Sequence, residues 1–387
     1  MKLLFLDQTG KSGGAELCLL DIATAYQNSC LVGLFEDGDF RQRLEQRKIP
    51  VQVLAEKAIA VRKSSGAIAG LLSLGQLLPL IHRVAGLSRE YDAIYANTQK
   101  ALVVGAIAST LSRRPLIYHL HDILSPDHFS RANRRIAVWM ANQARLVIAN
   151  SKASRAAFIE AGGNPALVEV VYNGFEPEAY AVEVETNELR SSLGLTGRFI
   201  VGHFSRLSPW KGQHVLIEAL QYCDETVSAV FVGDALFGEQ AYVQQLQQQV
   251  QQLGLRDRVK FLGFREDVIP LMKLCDVVAH TSIAAEPFGR VIVESMLCGR
   301  PTIAAASGAA VELIDPGVTG WLTQSGDAKA LAGAIESCRK FPTEAAQIAA
   351  FAQQQACQNF QLTQTNAQIH QHLQNRLSPV NYVEKAN

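Results

Sequence analysis

The feature that most constrains this chain is an alternation that occurs twice. Short apolar runs, rich in β-branched residues, alternate with longer stretches of helical period. In the first half the strand candidates are Lys2–Asp7, Leu31–Phe35, Val51–Leu54, Ala93–Tyr95, Leu116–His121, Leu146–Asn150 and Val168–Tyr172. Helical patterns such as Ala15–Gln27 and Ala101–Leu111 lie between most of them. A second series follows at Phe199–Ser205, Ala229–Val232, Val259–Leu262, Val277–His280 and Thr302–Ala305. Alternation of this kind argues for an α/β chain with parallel sheets covered by helices.

The two series are of similar size, and the chain of 387 residues exceeds one ordinary core. Between them, Glu176 to Glu188 is acidic and without a clear period, as a connector would be. The predicted layout is a first Rossmann-like domain over 1–180, a linker over 181–197, a second Rossmann-like domain over 198–360, and a C-terminal helix and tail over 361–387. The last helical pattern, about Thr363 to Leu377, is polar and Gln-rich.

Composition narrows the function classes. The formal net charge is zero, which argues against a nucleic-acid partner. Seven dispersed cysteines, none in a CxxC pair or at metal-ligand spacing, read as buried thiols of a cytoplasmic protein. The opening MKLLFLDQTG is too short for a signal-peptide core and carries an acid at Asp7. No run reaches the ~18 apolar residues of a spanning helix. Any membrane contact is therefore expected to be peripheral. The candidates for it are Lys57 to Arg83, with Arg62 and Lys63 near its start, and the basic stretch Arg131 to Arg145 containing Trp139 and Met140, although a solvated face beside a core stripe is the plainer reading of both.

Ligands of open α/β sheets bind beyond the carboxyl ends of strands, so chemistry is sought just after each strand. The segment EPFGRVIVESMLCGRP places Glu286 in a loop and Glu294 inside a helix that stops at Gly299. Pro287 fits the first helical turn. The turn around Phe288, Gly289 and Arg290 offers backbone N–H groups to an anion, with no side chain at Gly289 to obstruct it. Carboxylates at 286 and 294 suit sugar hydroxyls, because each oxygen accepts hydrogen bonds. The flanking Val291, Ile292, Val293, Met296 and Leu297 imply that this helix is largely buried, so Glu294 needs a partner. After Phe199–Ser205 come Arg206 and Lys211, two cations in a strand-to-helix loop that suit a diphosphate. After the first strand, Gly13-Gly14 lets backbone approach a ligand, although the segment is neither GxGxxG nor a P-loop. His119-Leu120-His121-Asp122 follows another apolar strand. Its HxH spacing is that of some metal hydrolases, but no further ligand is evident in the sequence, and no metal is expected.

Taken together these segments resemble a family-four retaining glycosyltransferase of the GT-B fold. The resemblance spans nearly the whole chain. It is carried by GGAE at 13–16, HD at 121–122, YNGFE at 172–176, FSRLSPWKG at 204–212, VKFLGF at 259–264, EPFGRVIVESMLCGRPTIAA at 286–305 and the closing turn DPGVTGWL at 315–322. It implies two Rossmann-like domains facing across a cleft, with the last helix returning to the first domain.

It also implies roles. Glu294 would hold the donor ribose and Glu286 the transferred sugar. Arg206 and Lys211 would neutralise the leaving diphosphate, and the backbone of Phe288, Gly289 and Arg290 would face the donor. Gly13 and Gly14 would lie on the phosphate and acceptor side, His121 beside the sugar, and Arg265 at the border of the base. The implied reaction is transfer of a hexose from a UDP- or GDP-sugar to a glycan, lipid-linked or small-molecule acceptor, without cofactor or metal. Front-face attack would give retention with no enzyme nucleophile, unlike paired-carboxylate hydrolases. Two departures from the family's pattern are Arg290, where an apolar residue is more usual, and His280-Thr281-Ser282 in place of a Pro-Ser entry. The rival readings are a GT-B nucleotide-sugar 2-epimerase, a non-catalytic sugar-nucleotide-binding protein, and an HxH metal hydrolase.

Overall fold

The computed structural model describes residues 1–55, 67–236 and 238–378. The chain divides into two compact units. One is Met1–Gly174 joined by the stretch that begins at Leu362, and the other is Phe175–Gln361.

The described residues of the first unit hold seven strands: β1 (Leu3–Asp7), β2 (Cys30–Leu34), β3 (Val51–Val53), β4 (Ala93–Ala96), β5 (Leu116–Leu120), β6 (Leu146–Ala149) and β7 (Val168–Val170). They form one sheet in the order β3-β2-β1-β4-β5-β6-β7, every pair parallel. The chain runs outward from β1 to β3 and then returns to β4 on the other side. The order therefore reverses between β1 and β4, which makes their carboxyl ends the switch point where ligands of such sheets bind. β1 is buried along its whole length, including Asp7.

The helix Leu362–Leu377 lies against this sheet. Ile369 and Leu373 are fully buried in a cluster with Phe5, Leu19 and Tyr26. Burial of each such side chain is worth about 1.5–3 kcal/mol. Polar contacts fix the register: Tyr26 Oη meets His370 Nδ1 at 3.0 Å, and Thr365 Oγ1 donates to the Tyr172 carbonyl at 3.1 Å.

The described residues of the second unit hold six strands: β8 (Phe199–Phe204), β9 (Val227–Val232), β10 (Val259–Phe261), β11 (Val277–His280), β12 (Thr302–Ala305) and β13 (Trp321–Thr323). Their order is β10-β9-β8-β11-β12-β13, again all parallel. The switch point falls between β8 and β11.

Three expectations change here. The stretch Glu176 to Glu188 is not a bare connector: it contains the helix Pro177–Tyr180 and enters the helix Thr186–Ser192, and both belong to the second unit. Arg190 of the second helix anchors it to that unit through Asp276 at 2.8 Å and the Leu274 carbonyl at 2.8 Å. DPGVTGWL is more than a turn, since its last residues open β13 and pair with β12. Pro287 lies outside the helix, which runs Arg290–Leu297. Among the described residues no helix is long and apolar enough to cross a membrane. Arg62 and Lys63 lie outside the described residues. Six of the seven cysteines are buried, Cys357 being the exception.

Candidate active site

The switch point of the second unit is built from two loops. After β8, the loop from Ser205 tightens into a 3₁₀ turn over Pro209–Lys211 and ends at Gly212. Gly212 has φ +71°, and a Cβ there would stand 2.0 Å from the Thr281 carbonyl oxygen, so only glycine fits. Thr281 Oγ1 lies 2.8 Å from the Gly212 carbonyl and 3.0 Å from His203 Nε2, and the Ile283 amide donates to the Trp210 carbonyl at 2.8 Å. These bonds stitch the loop after β8 to the loop after β11.

The second loop brings Glu286 into the same place. Its carboxylate oxygen Oε2 accepts from Lys211 Nζ at 2.7 Å, Ser282 Oγ at 3.0 Å and His280 Nε2 at 3.1 Å. Because the acceptor is a carboxylate, His280 Nε2 carries the hydrogen. Burial alone would push the Glu286 acid up. The adjoining Lys211 ammonium and His280 reverse that and hold it well below the usual carboxylate range. Glu286 is therefore an anion pinned on one oxygen, and none of these three bonds falls on Oε1. Its backbone is pinned too. The Ala309 amide donates to the Glu286 carbonyl at 2.8 Å, and a Cβ on Gly308 (φ +60°) would come within 2.3 Å of that carbonyl oxygen. The Lys211 ammonium also sits 4.1 Å from the centroid of the Trp210 ring, and the Arg206 guanidinium 5.7 Å from it.

Gly289 precedes the helix Arg290–Leu297 in a left-handed conformation, φ +85° and ψ +59°. There a Cβ would crowd Ile292 Cδ1 at 3.0 Å and Glu286 Cγ at 3.3 Å. The partner that Glu294 needs is Arg290, one turn earlier, with Nε 3.4 Å from Oε1. Arg290 in turn lies over the Phe175 ring at 4.5 Å. Burial raises the Glu294 acid above its ordinary value, and Arg290 offsets part of that rise. Phe288 is buried against Phe175, ring centroids 6.4 Å apart. Arg265 does not stand alone at the end of β10, because its Nε donates to Asp267 Oδ1 at 2.7 Å.

The structure thus unites Glu286, Lys211 and the Trp210–Arg206 loop, and separately pairs Glu294 with Arg290. Lys211, expected as a cation available to phosphate, already holds Glu286. His280 and Ser282 were overlooked as site residues. The only signal they gave was that HTS replaced the more usual entry to this loop.

In the first unit the switch point gathers a second polar cluster. Gly13 precedes the helix Gly14–Thr24, and the side chain of Glu16 folds back over it: a Cβ at Gly13 would lie 2.7 Å from Glu16 Oε2. Asp7, Glu16 and Asn97 are all buried. Burial raises the Asp7 acid to about 6 and, aided by the Asp7 charge, the Glu16 acid to about 8. Asn97 Oδ1 faces His121 Nε2 at 2.9 Å. The expectation that nothing completes an HxH set changes as well. Cys18, His119 and His121 bring one ligand atom each to within 4.8 Å of one another. Cys18 arrives from the helix after β1, a proximity that sequence spacing does not reveal. Its thiol donates to Asn173 Oδ1 at 3.3 Å, and His119 Nδ1 meets Tyr95 Oη at 2.9 Å.

Two doubly wound parallel domains, each with a polar cluster at its switch point and the second carrying paired cations and carboxylates there, describe a GT-B nucleotide-sugar transferase. Comparison with known proteins gives the family. The model described as "Glycosyl transferases group 1" matches residues 185–355, and "Glycosyltransferase Family 4" matches 12–179. The chain is 55% identical to Anabaena HepE, solved with UDP-glucose, over 97% of this chain and all of that one, with a TM-score of 0.90. It is 28% identical to the D-inositol 3-phosphate glycosyltransferase of Rhodococcus erythropolis, over 91% of this chain and 84% of that one. A GDP-mannose-dependent mannosyltransferase of Mycolicibacterium smegmatis is 28% identical over 61% of this chain and 64% of its own length. The chain belongs to the group 1, family-four glycosyltransferases and is a hexosyltransferase with a nucleotide-sugar donor.

Proposed function

We propose that the donor is a UDP-hexose, with UDP-glucose the first to test, and that transfer retains configuration and needs no metal. HepE, similar over nearly the whole chain, was solved with UDP-glucose, with UDP and glucose, and with UDP. The observation that carries the reading is the Lys211–Glu286–His280–Ser282 cluster at the switch point of the second unit. Glu286, fixed by Oε2, offers Oε1 to the hydroxyls of the transferred sugar. Lys211 and Arg206 stabilise the charge that develops on the leaving diphosphate, which is electrostatic catalysis by preorganised cations. The backbone of Phe288, Gly289 and Arg290 faces the donor, Glu294 takes the ribose hydroxyls, and the loop at Arg265 borders the base. From the first unit, Gly13 and Gly14 serve the phosphate and acceptor side, and His121 contacts the sugar. The acceptor is a glycan, a lipid-linked sugar or a small molecule. A lipid-linked acceptor is favoured by the helix Arg131–Ala141, which exposes Trp139 and Ile136 beside Arg131 and Arg135.

A thermal-shift panel of UDP, GDP and ADP, followed by UDP release from UDP-glucose in chelator, tests the donor assignment. Stabilisation by UDP together with chelator-resistant turnover is expected. No response to any of the three nucleotides overturns the donor reading, and loss of turnover in chelator that added metal restores overturns the metal-free one.

A further inference from the structure

The end of β4 carries a residue to which no role has been given. Asn97 is completely buried, and both hydrogens of its amide nitrogen are used: Nδ2 donates to Asp7 Oδ2 at 2.8 Å and to the Ala15 carbonyl at 3.1 Å. Those two partners decide which way the amide points. A flipped amide would set Oδ1 against a carboxylate and a carbonyl, and no hydrogen would lie between them. Asp7 is itself held, since its Oδ1 accepts from the Thr9 amide at 3.1 Å. Oδ1 of Asn97 must therefore face His121 Nε2, 2.9 Å away. An amide oxygen only accepts, so the hydrogen of that bond belongs to His121.

We infer that Asp7 and Asn97 are positioning residues, which hold the His121 ring in one orientation and, when it is neutral, in the tautomer protonated at Nε2. The chain of contacts runs across three adjacent strand ends, β1 to β4 to β5, and so is rigid with the sheet. A neutral imidazole has one donor and one acceptor nitrogen, and a ring able to swap them would meet a sugar hydroxyl with the wrong polarity part of the time. The Asn97 amide removes that ambiguity, because reversing the tautomer would leave its buried Oδ1 facing a lone pair. The acidity of Asp7, raised to about 6, fits an anionic anchor at neutral pH that weakens in mild acid. The ionisable groups around this chain are His119, whose ring lies 4.0 Å from that of His121, Asp122 beside it in sequence, Glu16 next to Asp7, and Cys18 at ligand distance from both rings.

The kinetic part rests on the reading that His121 contacts the transferred sugar, and the experiment separates the two. Nitrogen-detected NMR of the histidines in the intact protein, with His121 assigned by its loss in His121→Ala, reads the tautomer directly and needs no turnover. The expected wild-type signature is an Nε2–H ring, replaced by a tautomer mixture in Asn97→Ala. An Nδ1–H ring in the wild type, or an unchanged signature in Asn97→Ala, overturns the inference whatever the activity. With UDP-glucose as the probe, Asn97→Ala lowers kcat at least tenfold with KM within about threefold. It adds nothing further in a His121→Ala background, as two residues acting through one ring require. A loss of the same size in that background overturns the positioning role. Full activity of His121→Ala alone overturns only the sugar contact and leaves the tautomer result standing.

Discussion

Replacing Lys211 by methionine removes the cation and keeps much of the stem's volume, and its cost can be worked out from the contacts of Glu286. The carboxylate side chain is 9% exposed and the lysine side chain 14%, so this pair is closer to the buried limit than to a surface ion pair. Breaking a buried pair by removing one partner costs about 3–5 kcal/mol, because the remaining charge is left uncompensated. Here His280 and Ser282 still reach the same oxygen, so the expected loss is about 2–4 kcal/mol. For a domain of 150–250 residues that corresponds to a fall in Tm of roughly 4–16 °C.

Calorimetry without ligand is the assay, and a four-way cycle with Glu286→Gln makes it specific. Glu286→Gln alone should cost less, about 1–2 kcal/mol, since a neutral amide still accepts from Lys211. The double variant should be more stable than Lys211→Met alone, because no charge is then buried without a partner. The effect has a definite pH sign. The folded acidity of Glu286 lies below its unfolded value, so its contribution is complete above the ordinary carboxylate range. It fades as the pH falls through that range toward the folded value. The gap between wild type and Lys211→Met should therefore narrow below about pH 4.5. A Lys211→Met loss under about 0.5 kcal/mol, the size of an ordinary surface change, or strictly additive effects in the cycle, would refute the claim that this pair is a coupled, buried unit.

Three further outcomes follow from the same geometry. Glu294→Ala should lower turnover of UDP-glucose at least tenfold, ~1.4 kcal/mol or more of transition-state stabilisation, as read by initial-rate UDP release. Gly308→Ala should destabilise the second unit by more than about 1 kcal/mol in denaturant titration, because a Cβ at φ +60° would collide with the Glu286 backbone. Glu16→Gln should stabilise the protein by at least about 1 kcal/mol at pH 8–9 and leave it nearly unchanged at pH 4. The acid is raised from 4.5 to about 8 on folding, so the wild type loses stability as pH rises through that window.

How much of this was legible in the sequence depends on the range of the interactions. Among the described residues twelve of the thirteen strands were visible as apolar runs, because most strands of a covered parallel sheet are buried on both faces and need no partner to be recognised. β13 was missed because its three residues, Trp321–Thr323, directly follow a turn that dominates their neighbourhood. The helices at Pro177–Tyr180 and Thr186–Ser192 were hidden by acidic composition. Neither buries a residue fully, and the second is held by Arg190 reaching Asp276, far along the chain. Glu286, Lys211 and Glu294 stood out because charge in an apolar or glycine-bounded setting is conspicuous. Their pairing was not legible: Lys211 meets Glu286 through a loop-to-loop contact, and Glu294 takes Arg290 from its own helix. Asn97 and Cys18 carried no signal, since an Asn after a strand and a Cys in an apolar helix are ordinary until the sheet order brings β1 beside β4.

The pairing alters what the donor site asks of its ligand. Three of the cations assigned to donor binding have a carboxylate within salt-bridge distance: Lys211 with Glu286, Arg290 with Glu294 and Arg265 with Asp267. If the diphosphate binds at Lys211 as proposed, it does not find a bare ammonium and must share it. Sharing is feasible because an ammonium carries three donors, and Glu286 takes one of them. It also has a catalytic consequence. A cation balanced by a fixed carboxylate attracts the ground-state diphosphate less than a bare one does. On the proposed donor placement, its other donors would face the leaving diphosphate, where negative charge grows as the sugar–phosphate bond breaks. Interactions that strengthen toward the transition state raise kcat, whereas equal attraction for both states only lowers KM. Glu286→Gln should therefore tighten UDP binding while slowing turnover. Slower turnover accompanied by weaker UDP binding would mean instead that Glu286 acts mainly by keeping Lys211 in place.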